Sequence, residues 1–123
     1  MNWFFRHYRA VARVLSWIGI LAIIVLSVVP ADERPVTGVG HLSEHVVAFA
    51  LVAAAFAIGY YRFSLWRLGL LAFLFCGGIE LIQIPLPTRH ARVSDFVIDL
   101  IASCFTITIV YSSNLMTKRS PDL

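Results

Sequence analysis

Side chains that can do chemistry crowd one short stretch, residues 77–100, "GGIELIQIPLPTRHARVSDFVIDL". Glu80, Gln83, Arg89, Arg92, Asp95 and Asp99 all fall inside it, with strongly apolar runs on either side. His41, Glu44 and His45 open the preceding apolar run. Carboxylates and imidazoles move protons once burial and neighbours shift their pKa values. Arginine presents forked donors that match phosphate or carboxylate. Such a set suits the holding of a polar, anionic group, or acid–base chemistry on one. No nucleophile motif accompanies it. The two cysteines, Cys76 and Cys104, lie deeper in apolar runs and read as small hydrophobes rather than a disulfide. No CxxC or Cys/His pattern has metal spacing. His41, His45 and Glu80 are the residue types of a metal site, but the nearby arginines argue against a cation there. No metal and no cofactor is expected.

The composition says where such a group must sit. The 123 residues are 59% hydrophobic and 14% charged. A soluble domain is about half apolar and about a quarter charged. The excess fits a single domain embedded in a lipid bilayer. The net charge of +3 is too small to imply nucleic acid.

Four apolar segments stand out, at about 14–29, 42–61, 65–84 and 94–113. A helix needs roughly 17 to 25 residues to cross the hydrocarbon. The first segment is slightly short but can extend back through Ala10 and Val11, with Arg13 snorkelling. Strands would leave backbone unpaired in lipid, and there are too few for a barrel. The fold class expected is therefore all-α, an integral membrane bundle of four transmembrane helices. The first segment has a basic front but ends "SVVPADE", without a small-x-small cleavage pattern, so it reads as a retained span rather than a signal peptide.

Arginine and lysine in short loops set orientation. Arg6, Arg9 and Arg13 lie in the amino-terminal stretch 1–13, Arg62 and Arg67 around the turn between segments two and three, and Lys118 and Arg119 in the tail 114–123. Both termini are thus expected in the cytoplasm, with the tail reading as disordered. Trp3, Tyr8, Trp17, Tyr60, Tyr61, Trp66 and Tyr111 flank the runs as an aromatic belt. In the first outer loop Asp32 and Glu33 offset Arg34, but Arg89 and Arg92 in the second run against the trend, and cations placed there need a local reason.

With that topology, His45, Glu80 and Asp99 each lie roughly 5 to 8 Å below the outer boundary, at 1.5 Å per residue. His41 with His45, Glu80 with Gln83, and Asp95 with Asp99 are spaced to share helix faces. Pro85 and Pro87 stop the third helix. Ser94 can cap the fourth, and Asp95 suits the positive end of its dipole. Charges in hydrocarbon cost about 2.5 to 3.5 kcal/mol each and usually face the bundle interior in pairs. The bland readings stand beside the functional one. Arg89 with Glu80, or Arg92 with Asp95, can be a fold-fixing ion pair. His45 alone would be a packing residue, and His90 a solvated loop residue. Gly77, Gly78 and the alanines 53–55 permit close helix packing.

The pattern resembles the VanZ-like family of small membrane proteins. The matching parts are "HVVAFALVA", from His45, and "ELIQIPLPTRHARVSDFVIDLIAS", from Glu80. His45 and Phe49 match a His with an aromatic residue four positions on. Glu80 and Gln83 match Glu-x-x-Gln, Arg89 the loop arginine, and Asp95 the aspartate opening the last helix. The resemblance runs from about Gly40 to Ile109. Leu42 stands where the family often has Lys, Asp99 where it often has Asn, and Ala102 where it often has Gly. The lost cation and added acid make this pocket more acidic than the family pattern. The resemblance implies a four-helix membrane bundle, and the family's founding member is linked to resistance to the glycopeptide teicoplanin.

The expectation is a protein of the bacterial cytoplasmic membrane. Its outward pocket, built from Glu44, His45, Glu80, Gln83, Arg89, Arg92, Asp95 and Asp99, would bind a cell-envelope ligand such as a lipid-linked phosphate or sugar. Two alternatives stay open. One is a small intramembrane enzyme with His45 or Glu80 as general base and Arg89 stabilising negative charge. The other is a structural or partner-binding bundle whose charges only fix helix register.

Overall fold

Ser64 starts one helix and Pro85 ends it. The Ser64 hydroxyl accepts from the Arg67 backbone N–H at 3.3 Å, an N-cap interaction. Pro85 has no N–H to give to the carbonyl four residues back, and the helix stops at Gln83. In this computed structural model, residues 2–30, 38, 40–86 and 93–119 are described, apart from the side chains of residues 2, 41, 42 and 117–119. They form α1 (Asn2–Val28), α2 (His41–Gly59), α3 (Leu65–Gln83) and α4 (Val93–Arg119), with no strand among the described residues.

Helix ends depart from the hydropathy reading. α1 reaches back to Asn2, so Arg6, Arg9 and Arg13 are helical. Charge ends an apolar run but does not end a helix, because arginine is a good helix former. α4 likewise continues to Arg119, into the segment read as a disordered tail. Ser94 is the second residue of α4 and not its cap, since the helix begins at Val93. Asp95 does lie in the first turn. Pro87 and His90 lie outside the described residues.

Three helices are long and apolar enough to cross a membrane: Trp3–Val28, Leu65–Gln83 and Val93–Met116. α2 and α3 have 19 residues each and span about 28 Å, just under a hydrocarbon core of about 30 Å. α1, the segment that read as slightly short, has 27 residues.

Contacts between helix ends fix the arrangement. Arg13 of α1 bonds the carbonyl of Gly59, the last residue of α2, so these two run antiparallel. Gln83 near the end of α3 bonds Ser27 near the end of α1, so those two run parallel. His45 near the start of α2 meets Asp99 near the start of α4, a second parallel pair. The bundle is therefore up-down-up-down. α2 packs most extensively on α1 and α4, and α3 on α4. α2 and α3, consecutive in the chain, face each other mainly through side chains such as Phe49 and Phe75, whose rings lie 5.6 Å apart.

Two apolar clusters, around Phe49 and Ile79 and around Leu68 and Ile107, share the interior with small and polar residues such as Ser16, Ala57 and Ser103, while Leu21, Leu51, Leu74, Leu81 and Phe105 are exposed. So apolar an exterior suits a lipid solvent, where close packing rather than hydrophobic exclusion draws helices together. Hydroxyls are satisfied within their own helices: Ser27 donates to the Ile23 carbonyl at 2.6 Å and Thr106 to that of Ala102 at 2.8 Å. Cys76 and Cys104 are both free.

The closest helix approaches are not where the paired glycines lie. A Cβ on Gly78 would meet nothing within 4 Å, and one on Gly77 would make an ordinary 3.6 Å contact with Phe96. A Cβ on Gly59 would stand 2.9 Å from the backbone nitrogen of Arg13, and one on Gly19 would stand 2.6 Å from Cγ2 of Val52. Gly19 and Gly59 let α1 lie against α2.

Candidate functional site

The end of the bundle opposite Arg6, Arg9 and Arg62 collects the polar groups. Asp99 sits on α4 one turn past Asp95 and is only 1% exposed. Nδ1 of His45, on the first turns of α2, lies 3.1 Å from Oδ2 and 3.2 Å from Oδ1 of Asp99. The imidazole N–H is thus shared between both oxygens of the carboxylate. This places a proton on Nδ1. His45 keeps a little exposure, 16%, where Asp99 keeps almost none. The ring also stacks on Phe49, with centroids 6.0 Å apart and planes 18° from parallel. Phe49 is itself buried against Cys76 and Ile79. The imidazole is therefore fixed in tilt by an aromatic neighbour and in tautomer by a buried acid.

α1 and α3 add a second polar contact. Gln83 is buried, and its Nε2 donates to the Ser27 carbonyl at 3.3 Å. That carbonyl is free to accept because it lies in the last turn of α1, where four carbonyls lack helical partners. A small cavity of about 60 Å³ joins the two contacts, lined by Ser27, Glu44, His45, Phe49 and Gln83 among others. Three helices thus contribute to its wall, and Asp99 of α4 stands behind His45.

The sequence-predicted residues divide accordingly. Glu44, His45 and Gln83 meet at the cavity, and Asp99 joins through His45. Glu80 lies one turn deeper on α3, half-buried, with Oε1 shielded from solvent. Asp95 is half-buried in the first turn of α4. Arg89 and Arg92 lie outside the described residues, as does the side chain of His41. Ser27, Ile23 and Leu26 of α1 also line the cavity, and the sequence reading had assigned no site residue to that helix. A serine inside an apolar helix gives no signal, since what it supplies here is a main-chain carbonyl.

Chemically, the arrangement offers an oriented imidazole, a glutamate and an amide around a space large enough for little more than a water or a single polar group. Among the described residues no cluster of three or more His, Cys, Asp or Glu is arranged to hold a metal ion. No family model, curated protein or solved structure matches this chain.

Proposed function

We propose that the chain is a VanZ-like membrane protein. Its polar end faces the outside of a bacterial cytoplasmic membrane and binds the polar part of a cell-envelope ligand. The observation that carries this reading is the convergence of Glu44, His45 and Gln83 on one cavity, backed by a buried Asp99, at the end of a bundle that is otherwise apolar outside. Ionisable groups at such depth are costly and mark function by default. Arginines at the opposite end favour that end being cytoplasmic. α1 and α3 run parallel, so if both cross the bilayer the chain between them must return through it. α2, as long as α3, is then the fourth crossing.

The ligand class that fits is a lipid-linked phosphate or sugar. Arg89 and Arg92, between α3 and α4 in the sequence, are the residue types that suit its phosphate. A role in glycopeptide resistance follows from the VanZ-like resemblance. The test is to neutralise Glu80 and Arg89 together, at unchanged protein level, and to measure glycopeptide susceptibility and envelope integrity. Loss of the wild-type phenotype is expected. No change in any envelope phenotype contradicts the proposal. Exchanging Glu80 and Arg89 separates ligand binding from register-fixing: a swapped pair that keeps activity favours the structural reading.

One observation favours a second reading. The Asp99–His45 pair is the geometry that orients an imidazole for acid–base work. A small intramembrane enzyme acting on an envelope lipid would use it so. Turnover of such a lipid by purified protein, lost in His45→Ala, is its signature.

A further inference from the structure

The arginine-bearing end of the bundle has a cavity of its own, far larger than the polar one. It encloses about 1080 Å³ between α1 and the turn joining α2 to α3, and Arg6, Arg9, Arg13 and Arg62 all line it. No carboxylate is among the described residues that do so. The cations are held by specific contacts. Arg9 lies over the Tyr61 ring, its Cζ 3.2 Å from the centroid. Arg62 Nε donates to Tyr61 Oη at 3.1 Å, and Arg13 Nε donates to the Gly59 carbonyl at 3.1 Å.

A second cavity begins behind the aromatic wall of the first. It encloses about 350 Å³, is almost wholly apolar, and lies between α1 and α3 over a floor from α2. Trp17, Ile20, Leu71 and Leu74 form its sides. Leu71, Leu74 and Trp17 are exposed on the outside of the bundle, so the groove opens laterally. Phe56 joins the two spaces. It lines the apolar groove and packs on Tyr60 at 4.4 Å and on Phe63 at 6.4 Å, both of which line the basic cavity. Trp17 Nε1 donates to Tyr60 Oη at 2.7 Å across the same divide.

We propose that these two cavities form one binding site for an anionic glycerophospholipid of the leaflet at the arginine-bearing end, its phosphate among Arg6, Arg9 and Arg62 and an acyl chain in the groove between α1 and α3. Orientation alone requires positive charge on one side of the membrane. It does not require four arginines on one cavity, or an apolar groove starting at its wall. Each arginine near an anionic headgroup is worth about 1 kcal/mol, so three exceed the tenfold preference that 1.4 kcal/mol represents. The inference rests on the membrane insertion proposed above, but not on any ligand at the opposite end.

The test uses the full chain in a non-ionic detergent, titrated with palmitoyl-oleoyl phosphatidylglycerol and phosphatidylcholine, with bound lipid counted by native mass spectrometry. Wild type is expected to favour phosphatidylglycerol about tenfold or more. The variant Arg6→Gln/Arg9→Gln/Arg62→Gln is expected to lose that preference while keeping its helicity by circular dichroism. Leu71→Trp, which fills the groove, is expected to weaken both lipids. The triple Lys variant keeps the charge but not the forked donors, and serves if the Gln variant does not fold; weaker binding with the preference retained is expected. Equal affinity of wild type for the two lipids overturns the proposal, as does an unchanged preference in the Gln variant, or binding by the Lys variant as tight as that of wild type. Displacement of the lipid by millimolar inorganic phosphate would assign the arginines to a soluble anion and overturn it as well.

Discussion

Asp99 has given up nearly all contact with solvent, and His45 is the group that meets both of its oxygens. Removing the partner of a buried charge typically costs about 3–5 kcal/mol, because the charge is left uncompensated, whereas removing both groups is often close to neutral. His45→Ala is therefore expected to lower unfolding stability by about 3 kcal/mol or more. Adding Asp99→Asn to the same chain should recover most of that loss in a denaturant or detergent-unfolding assay. A double variant no more stable than the single one would show that the pair does not carry the site. The sequence made His45, Gln83 and Asp99 visible, because ionisable and amide groups stand out inside apolar helices. It could not pair them, since 54 residues separate His45 from Asp99. At the other end, the hydrogen bond from Arg62 holds the Tyr61 phenol below the usual tyrosine value, against desolvation and with help from the charges of Arg62 and Arg9. A folded value below the unfolded one means that the phenolate's stabilisation is present above the unfolded value and is lost as pH falls through the folded one. At neutral pH the phenol is uncharged in both states and adds nothing. Ultraviolet titration should show Tyr61 ionising earlier than free tyrosine, and Arg62→Gln should move it back up.

The helices were legible as apolar segments, though their ends and their partners were not. Hydropathy located the spans and let the first extend back through Arg13 to Ala10, but not to Asn2, where α1 begins. It also gave no sign that α2, rather than α3, would lie closest to α1. That choice turns on Gly59 and Gly19, two isolated glycines without a motif around them. Gly59→Ala gains about 1 kcal/mol of helix propensity, but its Cβ would meet Arg13 Cγ at 2.7 Å and the Arg13 backbone at 2.9 Å. Overpacking of this kind typically costs about 1–3 kcal/mol, so the balance is a net loss of stability, larger still for Gly59→Leu. Gly19→Ala meets a side chain instead, and Val52→Ala should relieve it. No side-chain truncation should rescue Gly59→Leu. A Gly59→Leu variant as stable as wild type would contradict the α1–α2 packing.

At the scale of the whole molecule, the two ends have opposite characters. One gathers arginines and aromatic rings around a broad cavity; the other gathers a His–Asp pair, a glutamate and a buried glutamine around a narrow one. Aromatic side chains gather at the same end: Trp3, Tyr8, Trp66 and Tyr111 lie in the arginine-bearing halves of their helices, and Tyr60 and Tyr61 in the turn between α2 and α3. Loop arithmetic caught this polarity because charge and aromatic position are read directly from sequence. The diagonal placement of α2 and α3, which leaves the lateral groove open, was not legible, since it depends on how four helices share one small interior. The proposed envelope ligand rests on the residue types at the polar end, beside the VanZ-like resemblance. Native mass spectrometry of the detergent-purified protein, beside His45→Ala and Glu80→Ala, tests that account most directly. It predicts a co-purifying envelope lipid or glycolipid on the wild type that both variants lose, while phosphatidylglycerol at the arginine-bearing end is retained by all three. A folded wild type that carries nothing beyond phospholipid would contradict it.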